Sequence, residues 1–378
     1  MKKYLHLCNN NSALIGLAML ILTTANVFAQ KGVQPLLDRP ALMSEIAKNA
    51  TLLCVTRAGH RILAAGERGI IMFSDDDGQS WTQAEVPVSV TLTNIRFATP
   101  KKGWAVGHYG VVLKSENGGE SWVLQLDGRR AATLMLEAAK SKANAFPDDI
   151  RAQRAVANAE LFVQDGPDKP FLDIHMIDAR NGFIVGAYNM IFYTEDAGTS
   201  WQPWLDHVEN PEGLHLYSIR PMDRYLFMAG ERGLFLRSED QGQSFHMMPT
   251  PYDGTYFGLL AVATNERLLI FGLKGNVYRS DDYGDTWQKI EVGVSMTVTA
   301  AAELKNGMCV LTTQYGEVLI SRDQANTFSK LSLEGEPFPL MDVVETFNGN
   351  LIVVGTRGVK MIPVSSKLAS ANKKYAGE

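Results

Sequence analysis

The sequence predicts an all-β fold, a seven-bladed β-propeller with a helical hairpin inserted between blades 2 and 3. Three observations lead there. A short Gly-x-x-Gly-like turn recurs seven times, starting at Gly66, Gly107, Gly186, Gly230, Gly272, Thr313 and Gly355. The spacings are 41, 79, 44, 42, 41 and 42 residues, so one is close to double the rest. Six of the turns lead into a box of the form Ser/Thr-x-Asp-x-Gly-x-Ser/Thr-Trp: Ser74 to Trp81, Ser115 to Trp122, Thr194 to Trp201, Ser238 to Phe245, Ser280 to Trp287 and Ser321 to Phe328. A period of this length marks a propeller or solenoid, in which each repeat is one supersecondary unit.

From the start of the chain, residues 1–29 read as a secretory signal. Lys2 and Lys3 supply the positive end, Ala13 to Ala25 the apolar core, and Val27-Phe28-Ala29 the small-residue cleavage site before Gln30. The apolar run falls short of the roughly 20 residues that cross a bilayer, and no Cys follows the site to accept a lipid. The mature chain is therefore expected in the periplasm or secreted, with no transmembrane segment of its own. Its propeller is placed at 30–364, followed by a C-terminal tail at 365–378.

The second repeat shows the blade pattern most clearly. Leu92 to Phe97 alternates, Trp104-Ala105-Val106 is a short apolar run, Gly107 to Gly110 turns, and Val111 to Lys114 and Val123 to Leu126 flank the box. Four short strands separated by turn signals make one blade. In the boxes, the residues read as structural are Asp76, Trp81, Asn117, Trp122, Asp196, Trp201, Asp240, Phe245, Asp282, Trp287, Asp323 and Phe328. The acid suits turn amides, and the aromatic suits a plug between strands. The run Asp75-Asp76-Asp77 has the look of a calcium loop, yet only Asp76 sits at the repeated position, so no metal is expected. The sixth box carries Ala325 in place of Gly, and the seventh repeat has no box. N-terminal residues around Val33 to Asp38 are expected to complete the last blade.

The doubled interval is accounted for by an insertion at 127–168. Arg129 to Ala145 and Ile150 to Phe162 read as two helices, with Pro147-Asp148-Asp149 supplying the second start. Its charges balance, and it reads either as rim decoration or as a partner-binding element.

The composition, 46% hydrophobic and 20% charged with a net charge of −5, belongs to a globular protein and supplies no basic face for nucleic acid. Cys54 and Cys309 fall in the first and sixth repeats, too far apart in a closed ring for a disulfide, and are expected as buried free thiols. Seven His residues are scattered, and His108, His175 and His215 read as structural or surface groups.

Repeats of this box type occur in sialidases and in many non-catalytic propellers, as bacterial neuraminidase repeats. The fuller string from Asp178 to Gly186 followed by Thr194 to Trp201 is narrower, and resembles the photosystem II stability and assembly factor family. The resemblance covers roughly residues 50–364 and includes secreted bacterial relatives. It implies a non-enzymatic factor that binds a membrane protein or transporter complex from the lumenal or periplasmic side. The short signal and the large insertion depart from a chloroplast member.

The alternative class is a secreted glycoside hydrolase or carbohydrate-binding propeller of sialidase type. Such an enzyme holds its substrate carboxylate with an arginine triad, the first Arg lying in a Phe/Tyr-Arg-Ile-Pro string ahead of the first box. Nothing like it precedes Ser74; the nearest string, Tyr217-Ser218-Ile219-Arg220-Pro221, lies mid-chain in the wrong order. No nucleophile elbow, metal-spaced His pair or phosphate loop is present either, so no catalytic residue or cofactor is expected.

The third position of the seven turns reads Arg68, Tyr109, Tyr188, Arg232, Lys274, Tyr315 and Arg357. All are cationic or Tyr, where exposed turns ordinarily mix Asp, Asn, Ser and Lys. Arg and Tyr are enriched at binding hot spots, although their stems also pack over neighbouring turns. In a four-stranded blade these turns lie opposite the boxes, on the face that also carries the insertion. That face is the expected partner-binding site.

Overall fold

Within each repeat an alternating run, a fully apolar run and a mixed run follow one another and pair in chain order as antiparallel strands. The computed structural model describes residues 34–263 and 266–364; the expected signal and C-terminal tail lie outside them. Among the described residues seven sheets form, numbered here 1 to 7 along the chain; sheets 1 to 6 have four strands and sheet 7 has three. The first strand of each sheet (Leu52–Ala58, Leu92–Phe97, Phe171–Met176, Leu216–Met222, Tyr256–Val262, Val298–Glu303 and Leu340–Glu345) is innermost. Each inner strand lies beside the next, and that of sheet 7 lies beside that of sheet 1.

The second strands carry the core. Residues such as Leu63, Trp104, Phe183, Phe227, Leu311 and Val353 are fully buried between sheets. The aromatic that ends a box reaches back to the preceding sheet. Phe245 of sheet 4 meets Phe183 of sheet 3 edge-on at 5.7 Å, and Trp287 of sheet 5 meets Phe235 of sheet 4 at 5.1 Å. Such pairs add about 0.5–1.5 kcal/mol to the burial itself.

The box turns are held by their own side chains. Ser74 Oγ donates to Asp76 Oδ1 at 2.8 Å and accepts the Gly78 N–H at 2.8 Å, while Asp76 accepts the Ser80 N–H and hydroxyl. The Ser80 hydroxyl and amide, with Ser74, hold the Asp76 carboxyl at about 2. In the second box Asn117 does the same work with one bond reversed, its Nδ2 donating to Ser121 Oγ at 2.9 Å. Ala325 in the sixth box keeps the turn, with φ 63° and its N–H on Ser321 Oγ.

The acidic run divides three ways. Asp75 takes both arms of the Arg61 guanidinium at 2.7 and 2.8 Å, Asp76 closes its box, and Asp77 accepts two backbone amides from sheet 7. Among the described residues no group of three or more His, Cys, Asp or Glu is placed to hold a metal ion.

Closure departs from the expectation. Leu36–Asp38 is a 3-10 turn that receives the Ser89 N–H, and Leu37 packs with Val86 and Val88 rather than extending sheet 7. An extended strand there would remove Leu37 from that apolar cluster. The ring closes through side chains instead. Asp342 Oδ2 accepts the Val55 N–H at 2.9 Å, and Arg57 Nη1 donates to Glu345 O at 2.9 Å. Ile352 of sheet 7 packs with Ile62 of sheet 1.

The insertion forms α1 (Gly128–Ala145) and α2 (Ile150–Asp165), capped by Asp127 and Asp149 on the N–H of Arg130 and Arg151. Ala131, Ala132, Ala143, Ala152 and Ala159 are its buried alanines. Cys54 and Cys309 are buried free thiols, as expected, and burial pushes the Cys309 thiol up to about 12. No described helix is long and apolar enough to cross a membrane.

Candidate functional site

The turn between second and third strands packs its backbone tightly on the start of the inner strand. A Cβ on Gly66 would lie 2.1 Å from Thr51 O, and one on Gly272 2.1 Å from Thr255 O. In five sheets the chain then reverses within a single 3-10 turn that holds two consecutive left-handed residues, the second being Gly69, Gly110, Asn189, Gly233 or Gly275. Arg68, Tyr109, Tyr188, Arg232 and Lys274 occupy the first of the two, with φ between 50° and 59°. Glycine or asparagine ordinarily takes such a place, so five bulky side chains stand where the backbone favours none. Tyr315 and Arg357 differ: there only the following glycine, Gly316 or Gly358, is left-handed.

These side chains project in unlike surroundings. Arg68 and Lys274 are exposed, and among the described residues neither forms an ion pair. Arg232 pairs with Glu212, and Arg357 with Glu336 at 3.2 Å. Tyr109 is half-buried against the cluster of sheets 1 and 2, whereas Tyr315 stands 60% exposed. Tyr188 sits between Phe162 of α2, edge-on at 6.1 Å, and His215, at 4.7 Å. The hairpin thus flanks the turns, and a groove of about 530 Å³ runs between them, lined by Ala139, Leu161, Phe162, Tyr188, Leu205 and Pro211.

A second feature was not anticipated. All seven inner strands carry a β-bulge at the same place, between the first and third residue of the pairing. The shared bulge puts corresponding residues of the sheets in layers around a central cavity of about 750 Å³. One layer holds Asn94 and Asp173 in sheets 2 and 3, with Asp342 in sheet 7. Two residues on, the next holds Arg96, His175 and Arg220 in sheets 2 to 4, facing Leu260, Ala302 and Val344 in sheets 5 to 7.

The charges there are unevenly matched. Asp173 is saturated: its oxygens accept Asn94 Nδ2 at 2.8 Å, the N–H of Ile174 and Ile219 at 2.9 and 2.8 Å, and Arg220 Nη1. Asp342 is occupied by the amides of Val55 and Val343, and burial pushes its carboxyl up. Burial, then the charge of Arg220, holds the His175 imidazole down at about 4. Arg96 lines the cavity, and among the described residues it makes no hydrogen bond or ion pair. The only sequence signal for this site was the string around Arg220, read above as a failed sialidase motif.

Comparison with known proteins gives one family. The sequence profile described as "Photosynthesis system II assembly factor YCF48" matches residues 158–359. A relative named "Photosystem II assembly lipoprotein Ycf48", from Synechococcus sp. (strain CC9902), is 26% identical over 192 residues. The match spans 50% of this chain and 57% of that relative. The solved structure titled "YCF48 bound to D1 peptide" superposes with a TM-score of 0.61 at 16% identity, covering 86% of this chain and 99% of that one. A GH74 enzyme from Niastella koreensis gives 0.60 at 11% identity, covering 83% of this chain and 52% of its own. At these identities the structural likeness is one of fold alone. The WD40 beta propeller domain of Doa1 superposes with a TM-score of 0.61 at 10% identity, covering 88% of this chain and 97% of its own, so the mostly β architecture with two helices has a propeller neighbour, and the named relatives are assembly factors, which are not enzymes.

Proposed function

The chain belongs to the photosystem II assembly factor YCF48 family, and from that membership we propose that it is a non-enzymatic scaffold which docks a segment of a membrane protein or transporter complex on its turn face. Each sheet is read as one blade of a seven-bladed propeller, with the boxes as staples on the opposite side. Residues 1–29 are read as a signal directing the propeller of 30–364 to the periplasmic or lumenal side, in keeping with relatives named lipoprotein and chloroplastic. A solved structure titled "YCF48 bound to D1 peptide" supports a peptide as the class of ligand.

The observation that carries the reading is the groove beside Tyr188. It joins the Tyr188 turn to the one large element that interrupts the repeat, so a peptide laid there touches both. Arg68 and Lys274, exposed elsewhere on the turn face and without an ion pair among the described residues, are the charges left to steer an acidic segment, which speeds encounter more than it adds affinity. Tyr109, Tyr188 and Tyr315 offer rigid amphipathic area at small entropic cost.

The test replaces Arg68, Arg232 and Arg357 together with Glu and measures recovery of crosslinked membrane partners from envelope fractions. Strong loss of partner with unchanged circular dichroism is expected. Full recovery by a folded triple variant overturns the turn face as the docking site.

A further inference from the structure

The central cavity has its own chemistry, independent of the turn face, and we propose that it binds a carboxylate whose head is held by Arg96 and whose apolar body lies against sheets 5 to 7.

Among the described residues Arg96 carries an unused donor set. A guanidinium carries five N–H donors in a planar fork that matches a carboxylate two bonds at a time. Arg96 is held partly buried by its place on the inner strand, and no acceptor among the described residues meets it. Neither nearby acid is available to it. Asp173 is filled by four donors, Arg220 among them, and Asp342 already receives two backbone amides without coming within 4 Å of Arg96 as an ion pair. A cation removed from bulk water without a partner is costly. An incoming anion relieves that cost.

The shape selects the kind of anion. Arg220 pairs with Asp173, and Asp342 offsets part of the Arg96 charge without meeting its donors, so the wall carries no large positive surplus and suits a monoanion better than a phosphate dianion. Across the cavity the same layer is Leu260, Ala302 and Val344, and Tyr217 and Phe257 meet edge-on at 5.0 Å one layer nearer the turns. A cavity of about 750 Å³ falls within the range that encloses small ligands, roughly 300–1,000 Å³. Polar on one wall and apolar on the other, it fits an amphiphilic acid. The carboxylate has two sources, a free organic acid or the C-terminus of a peptide.

Calorimetry on the mature chain separates them, with sodium octanoate and octanamide as one pair of probes, and the peptide Ala-Leu-Leu with a free or amidated C-terminus as the other. Saturable binding of octanoate alone identifies a free acid. Binding of the free peptide alone identifies a chain terminus. In either case the amide probe binds at least tenfold more weakly, and Arg96→Gln lowers affinity at least tenfold while Arg96→Lys recovers part of it. The triple Glu variant of the turn face keeps carboxylate binding, so the two sites fail separately. Binding of neither carboxylate, equal binding of acid and amide, or unchanged affinity in Arg96→Gln overturns the proposal.

Discussion

The carboxylate of Asp77 accepts the Phe347 N–H at 2.6 Å, and its second oxygen accepts the Asn348 N–H at 3.0 Å, across 270 and 271 residues of sequence. Among the described residues sheet 7 has three strands, with no fourth from the N-terminal side to tie it to sheet 1. Hydrogen bonds to a charged acceptor are worth about 1.5–3 kcal/mol each in favourable settings, less where water competes. Asp77→Asn keeps a residue that tolerates the φ of 62° but turns one acceptor into a donor facing an N–H. The expected loss is about 1–2 kcal/mol in urea unfolding. Asp75→Asn, which touches only an exposed ion pair, should cost under about 1 kcal/mol. A larger loss for Asp75→Asn than for Asp77→Asn would refute this account of closure.

The left-handed turns allow stability and binding to be separated. A non-glycine residue there costs about 1–2 kcal/mol, while glycine costs about 0.5–1 kcal/mol in unfolded-state entropy. Arg68 and Lys274 are exposed and form no ion pair among the described residues. Arg68→Gly and Lys274→Gly are therefore expected to leave stability unchanged or raise it by up to about 1 kcal/mol, and to weaken partner recovery. A loss of stability above about 1 kcal/mol would show that these side chains hold the fold, contrary to the docking role.

How much of this was legible depended on distance along the chain. The period, the boxes and the hairpin are local: Ser74, Asp76 and Ser80 meet within seven residues, and a helix start announces itself with Asp149. Closure was misread because Asp77 and Phe347 share no motif, and because Leu37 looks as suited to a strand as to a 3-10 turn. The central layer was invisible for another reason. Arg96, His175 and Arg220 come into line only because every inner strand has the same bulge, which shifts the register by one residue. Counted forward from each bulge, they occupy one position in three successive repeats, so an alignment of the repeats on that bulge would have found them.

The half-buried His175 couples acidity to stability. Its imidazole titrates at about 4 in the folded protein, chiefly because of burial, against about 6.5 in the unfolded chain. Between those values the unfolded chain binds the extra proton, so stability falls as pH drops from about 6.5 to about 4, by at most about 3 kcal/mol, and the loss is complete below about 4. The box acids act lower, since Asp76 and Asp323 are held at about 2 and lose their contribution only below the ordinary carboxylate range. Asp342, raised by burial, works the other way and gains as pH falls. Urea midpoints at pH 7 and 5 should differ less in His175→Gln than in the unsubstituted protein. Equal differences would remove His175 from the account.

The contact between Phe162 and Tyr188 gives the clamp a test that does not depend on charge. The rings meet nearly perpendicular, at 88° and 6.1 Å, and Lys169 Nζ lies 5.5 Å from the Phe162 ring. Removing either ring should cost about 0.5–1.5 kcal/mol of pair energy plus its burial, and a double-mutant cycle of Phe162→Ala and Tyr188→Ala should return a coupling in that range. Most of the hairpin's anchorage lies elsewhere, in Ala131, Met135 and Ala159 against Val112, Leu126 and Ile184, so the helices stay folded in both variants. Partner recovery should then fall in Phe162→Ala and Tyr188→Ala alike, and to no lower level in the double variant, because each opens the same groove. Additive losses in recovery would mean that the two residues touch the partner separately. Full recovery in Phe162→Ala with the hairpin helical would show that α2 is only a rim ornament.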